Sequence, residues 1–114
     1  MRLLLPAILA LAASSLFAEP FRLTKAWTKI QFQDCPVAYA HTGGESPQQI
    51  VALQRGMVHL LPRDRDGSEA AVFLDLRQKL KEEIHFEAGI HGVAFHPDFK
   101  KNRRFFISYS ESEP

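Results

Sequence analysis

The chain has 114 residues, room for one small domain. Its 46% apolar and 24% charged residues are the mix of a globular fold. The formal net charge of +1 argues against a nucleic-acid binder, where a basic excess gathered on one face supplies much of the affinity. The single cysteine, Cys35, excludes a disulfide framework and a Cys-x-x-Cys-His haem site inside the chain.

Met1-Arg2 is followed by an apolar run over residues 3–16, broken by Pro6 and two serines, and then by small residues up to Ala18. Charge, apolar core and small-residue exit are the order of a secretory signal. A signal peptide is expected over residues 1–18, and a cut after Ser15 also fits. The run falls short of the roughly 20 apolar residues that cross a bilayer, so a retained anchor is the lesser alternative. The mature chain, residues 19–114, is expected to be secreted or periplasmic with no membrane span. In an exported chain Cys35 reads as a buried thiol, or as one half of a bond to a cysteine outside these residues.

Residues 27–32 alternate polar with apolar at Ile30 and Phe32, the pattern of a half-buried strand. Residues 37–40 form a short β-type run behind Pro36, and residues 42–47 are a dense turn cluster. Residues 50–53 and 57–61, with Gly56 between them, read as a hairpin. Residues 62–67, ending in Asp66-Gly67, mark a turn, and residues 71–74 a further strand. Residues 76–84 are ambiguous: Leu76, Leu80 and Ile84 keep helical spacing and Lys79 with Glu83 would pair across one turn, but a charged loop fits equally. Residues 89–95 return to strand character, and His96-Pro97-Asp98 turns the chain. The basic run 100–104 reads as solvated surface, and residues 105–109 form the last strand.

Short, evenly spaced strands predict an all-β fold: a sandwich, a barrel or propeller blades. The last strand is apolar and has no partner after it, an exposed edge that a complete sheet would avoid. The chain therefore reads as a fragment. No phosphate-cradling glycine loop and no Gly-x-Ser-x-Gly elbow occur. His85, His91 and His96 lie at spacings that give no single ligand-bearing face. Asp64-Arg65-Asp66-Gly67 lacks the later bidentate acid of a calcium loop.

Three stretches carry a family resemblance. They are Cys35-Pro36-Val37-Ala38 leading to residues 50–56; Val72-Phe73-Leu74-Asp75-Leu76; and, most specific, Glu87-Ala88-Gly89-Ile90-His91-Gly92-Val93-Ala94-Phe95-His96-Pro97-Asp98-Phe99 with the strand at 105–109. In this order the chain resembles the glucose/sorbosone dehydrogenase family of pyrroloquinoline-quinone (PQQ) dependent sugar dehydrogenases. The resemblance implies the first blade and the start of the second of a six-bladed β-propeller, within an exported oxidoreductase. PQQ and calcium would be its cofactors, a sugar-type alcohol its substrate, and the electron acceptor unknown. Hydride would pass to the quinone while a histidine in a later blade takes the hydroxyl proton, so the resemblance carries no catalytic residue onto this chain. Glu87 matches the family position whose side chain reaches toward the central cofactor cavity, and is the one cofactor-contact candidate; a solvated loop glutamate is the alternative. His91 departs from the aliphatic usual at its position.

Most of the third stretch is architecture. Gly89 and Gly92 would allow close backbone approach at a strand entrance. Phe95 would fill the space between blades, Asp98 would accept turn amides, and His96 is expected to be structural. The alternative function is a binding propeller of the same architecture without redox chemistry.

Overall fold

A computed structural model describes residues 21–80 and 88–111. Residues 1–18, where a signal peptide was expected, Glu87 and the remainder of the ambiguous stretch beyond Leu80 lie outside the described residues. Four strands, β1 (Pro36–His41), β2 (Gln49–Leu53), β3 (Met57–Leu60) and β4 (Ala71–Asp75), follow one another as an antiparallel meander in one sheet. One helical turn, α1 (Arg77–Leu80), follows. A second sheet pairs β5 (Gly89–Phe95) with β6 (Phe105–Ser110), and α2 (Phe99–Asn102) lies between them.

The turn chemistry closes the meander. Thr42 and Gln48 bond reciprocally, Thr42 N to the Gln48 carbonyl and Gln48 N to Thr42 Oγ1, both at 3.0 Å. Gly56 takes φ +109° between β2 and β3, a conformation that L side chains rarely adopt, and its N–H returns to Leu53 O. Between β3 and β4, Gly67 N bonds Asp64 O while Asp64 Oδ1 accepts from Asp66 N.

One face of the meander supplies the core. Ile50, Ala52 and Val58 are fully buried with Leu80 and Ile90, and Ala38, Ala40, Leu60 and Leu74 pack beside them. Burying each of the large aliphatics contributes about 1.5–3 kcal/mol. The hairpin β5–β6 covers this face, with β5 lying against β1 and less extensively against β2. Phe73 sits at a bulge in the β3–β4 pairing and reaches the hairpin, with ring centroids 6.1 Å from Phe95 and 5.2 Å from Phe105. Phe95 thus fills the gap between the two sheets, and Phe99 closes against it at 4.6 Å.

Two expectations need correction. Residues 27–32 form no strand. The segment crosses the meander by side-chain contacts: the Trp27 indole N–H donates to Pro62 O at 3.2 Å and the Phe32 ring lies 5.6 Å from His59. The last strand, β6, does have a partner, since it pairs along its length with β5. Among the described residues no helix is long and apolar enough to cross a membrane.

Candidate functional site

The stretch that carried the resemblance forms β5, the turn and helix after it, and β6. Gly89 occupies φ +107°, and a Cβ there would lie 2.1 Å from Gln54 O. Glycine is required at this point both by the dihedral and by the approaching carbonyl. The contact is the anchor of the second sheet on the first. Gln54 O accepts from Ile90 N at 2.9 Å, Gln54 Nε2 donates to Ala88 O at 3.1 Å, and Gln54 N donates to Cys35 O at 2.9 Å. Gly92 differs from its expectation: nothing lies within 4 Å of the position a Cβ would take, so close approach does not explain it.

His96 organises the turn. Its Nδ1 accepts from Asp98 N at 3.0 Å and stands 2.9 Å from Asn102 Nδ2, while Asn102 Oδ1 accepts from Arg104 N. An acceptor at Nδ1 places the imidazole proton on Nε2. The geometry matches a structural histidine. Asp98 was expected to collect the turn amides with its side chain. Instead its backbone carbonyl accepts from Lys101 and Asn102, and it makes no side-chain cap. The histidine has taken the aspartate's task. Arg103 then ends the helix in the left-handed region, φ 57°, with its N–H bonded to Phe99 O. The basic residues of this segment are exposed, as expected.

At the other end of β5, exposed His91 places Nε2 2.9 Å from Ser110 Oγ across the hairpin. His91 and His96 thus serve opposite ends of one strand, and His85 lies outside the described residues. No group of three or more His, Cys, Asp or Glu that could hold a metal ion occurs among the described residues. Glu87, the cofactor-contact candidate, is outside them too.

A second feature went unseen in the sequence. On the meander face away from the hairpin, a cleft of about 500 Å³ opens beneath residues 30–34, with Leu53, Met57, His59 and Arg77 in its wall. Asp34 fixes one rim by accepting from Arg55 N at 2.7 Å. Asp75 and Arg77 pair at 2.7 Å on the surface, and the Arg77 side-chain hydrogen bond holds the Asp75 carboxyl down at about 2. His59 Nδ1 is buried with no hydrogen-bond partner among the described residues. No local signal marked this cleft, because it depends on where a strap without regular structure falls on a distant sheet. Cys35, next in sequence to Asp34, is exposed rather than buried.

No protein-family model matches the sequence. Over 80 residues, 68% of this chain, it is 28% identical to Hedgehog-interacting protein of Mus musculus. It is equally similar to the Homo sapiens protein of the same name. Each alignment spans 11% of the relative, so the chain corresponds to a small part of the length of the curated proteins it matches.

Proposed function

We propose that this chain belongs to an exported β-propeller that serves as a rigid platform for recognising another macromolecule. One observation carries the reading. The meander ends with β4 at one edge of its sheet, and β5 lies against β1, the strand at the opposite edge. This arrangement supports the reading, because a propeller's four-stranded blades run outward and its connections return to the axis. The similarity to proteins whose name denotes interaction with Hedgehog favours recognition over chemistry. Loops on such a scaffold are positioned by the blades and free to vary.

A sugar-oxidising function is the second reading, favoured by the Gly89–Phe99 stretch alone. There PQQ with calcium would accept the hydride. The described residues would contribute scaffold, with Gly89 and His96 fixing the strand that leads from Glu87.

The two are separated in the full-length exported product. PQQ is titrated by absorbance in the presence of calcium, and dye reduction is followed with a panel of aldoses. Recognition predicts neither saturable PQQ binding nor sugar-dependent reduction. Stoichiometric binding with turnover would replace it by the dehydrogenase.

A further inference from the structure

The cleft of about 500 Å³ beneath residues 30–34 has the size of a small-molecule site. Phe32, Leu53 and Met57 give it an apolar side. His59 lines the same cleft, and its Nδ1 is buried and meets no hydrogen-bond partner among the described residues. A buried polar atom left unmet costs free energy, and a bound molecule or an ordered water removes that cost.

An acid and a base stand together at the rim. Asp34 Oδ2 accepts from Arg55 N at 2.7 Å, which fixes the carboxylate in place. The other carboxylate oxygen lies 3.8 Å from Arg55 Nε, beyond hydrogen-bond distance. Among the described residues, neither Asp34 Oδ1 nor the Arg55 guanidinium is hydrogen-bonded, so both keep their capacity for a ligand. Arg77 also lines the cleft, but its guanidinium is taken up by Asp75 at 2.9 and 2.7 Å. The charges left open at the cleft are therefore one carboxylate oxygen and one guanidinium, side by side and too far apart to satisfy each other. The Asp34 side chain is 21% exposed and that of Arg55 71%, so an entering ligand can reach both.

We propose that this cleft binds a free α-amino acid with an apolar or aromatic side chain. Its ammonium and carboxylate groups sit one carbon apart and present opposite charges at short spacing, which complements the Asp34–Arg55 pair. Asp34 Oδ1 accepts from the ammonium group, and the Arg55 fork donates to the carboxylate. The side chain lies in the apolar part of the cleft against Phe32 and Met57. A simple anion meets repulsion from Asp34 and a simple cation meets it from Arg55, so the pair selects a molecule that carries both charges. An amino acid inside a peptide has given up both charges to amide bonds, which makes the free one the fitting ligand. The site does not depend on the propeller reading.

The test is an NMR titration of the full-length exported product, isotope-labelled at its methionine methyl groups, with L-phenylalanine. The Met57 signal is assigned by its loss in Met57→Leu. A saturable shift of that signal is expected, with a Kd on the order of 1 mM, as suits a ligand of this size. Phenylacetate lacks the ammonium group and phenethylamine lacks the carboxylate, and each should bind roughly 10-fold more weakly or worse. Arg55→Gln should weaken phenylalanine by roughly 10-fold as well. Arg104→Gln removes the same charge from an exposed turn outside the cleft and should change binding by less than about 2-fold. No movement of the Met57 signal at about 20 mM phenylalanine, well above that Kd, would overturn the proposal. Equal binding of all three probes, or an unchanged Kd in Arg55→Gln, would overturn it too. A Met57 shift that follows protein concentration without any ligand gives the cleft to a second copy and overturns the amino-acid occupant. None of these readouts involves PQQ or a macromolecular partner, so failure here leaves the platform reading to its own titration.

Discussion

Gly89→Ala tests the anchor between the two sheets. The new methyl group would stand 2.1 Å from Gln54 O and 3.0 Å from Gln54 C, at φ +107°. A non-glycine residue in a sparsely populated backbone region costs about 1–3 kcal/mol. Relieving the clash moves backbone against backbone, which opens the 2.9 Å bond from Ile90 N to Gln54 O. A hydrogen bond lost there adds about 1 kcal/mol. The expected loss is therefore about 2–4 kcal/mol, which at a urea slope of about 1–3 kcal/mol/M lowers the denaturation midpoint by on the order of 1–2 M. Gly92→Ala is the control. It lies in the same strand with nothing within 4 Å of its Cβ position, so removing glycine's extra unfolded-state freedom should stabilise by about 0.4–1 kcal/mol. Urea unfolding followed by far-ultraviolet circular dichroism on the full-length product and both variants decides the matter. Midpoints that move together, or a Gly89→Ala midpoint within 0.3 M of the parent on the ~1 M scale just given, would refute the account of the anchor.

Other consequences are open to measurement. His96→Ala removes the acceptor that holds Asp98 N and Asn102 Nδ2 and should cost about 1 kcal/mol at this partly exposed turn. His96→Asn, whose side-chain oxygen is an alternative acceptor, should recover part of the loss in thermal melts. Ile50→Ala, in a fully buried position, should destabilise by about 2–5 kcal/mol, and Ile50→Val by about 0.5–1.5, read from denaturation midpoints. Asp75 has a folded-state pKa lowered from 3.8 to about 2 by its hydrogen bonds with Arg77. Its contribution is present above the unfolded value and lost as pH falls through about 4 to 2, so Asp75→Asn should flatten that limb of melting temperature against pH. Cys35 is exposed and, in its free form, should react with a thiol reagent in the native protein as fast as in denaturant.

Where structure is local, the sequence reported it well. The hairpin at Gly56, the turn at Asp64 to Gly67, the strands on either side of His96-Pro97-Asp98 and the exposed basic run all follow from alternation and turn chemistry. The failures share a cause. Ile30 and Phe32 alternate as strand residues do, and the same spacing serves a strap whose side chains reach down onto a sheet. Asp98 is the stronger capping residue in isolation, but His96 lies where its ring nitrogen can take the amide first. Cys35 is apolar by type and exposed by position, a matter decided by the segments that cross it. The register that β1–β2 and β5–β6 share, with the ladder shifting between Pro36 and Ala38 in one and between Ile90 and Gly92 in the other, was equally illegible: comparing Val37-Ala38-Tyr39-Ala40-His41 with His91-Gly92-Val93-Ala94-Phe95, only the alanine is shared. Register is a property of paired backbones, and different side chains can write it.

The contacts of Gln54 also set an order in time. Its links to Cys35, Ala88 and Ile90 join segments far apart in sequence, while each meander strand pairs only with its neighbour. Neighbouring strands meet after short loop closures, whereas the link to β5 must wait for a much larger loop to close. The meander can therefore assemble first with its Ile50 face bare, and the clasp at Gln54 shuts as the second hairpin arrives. Until then the segment most prone to stray pairing is the one that later becomes the core, and weakening the clasp would lengthen that interval and favour aggregation before it lowered the melting temperature.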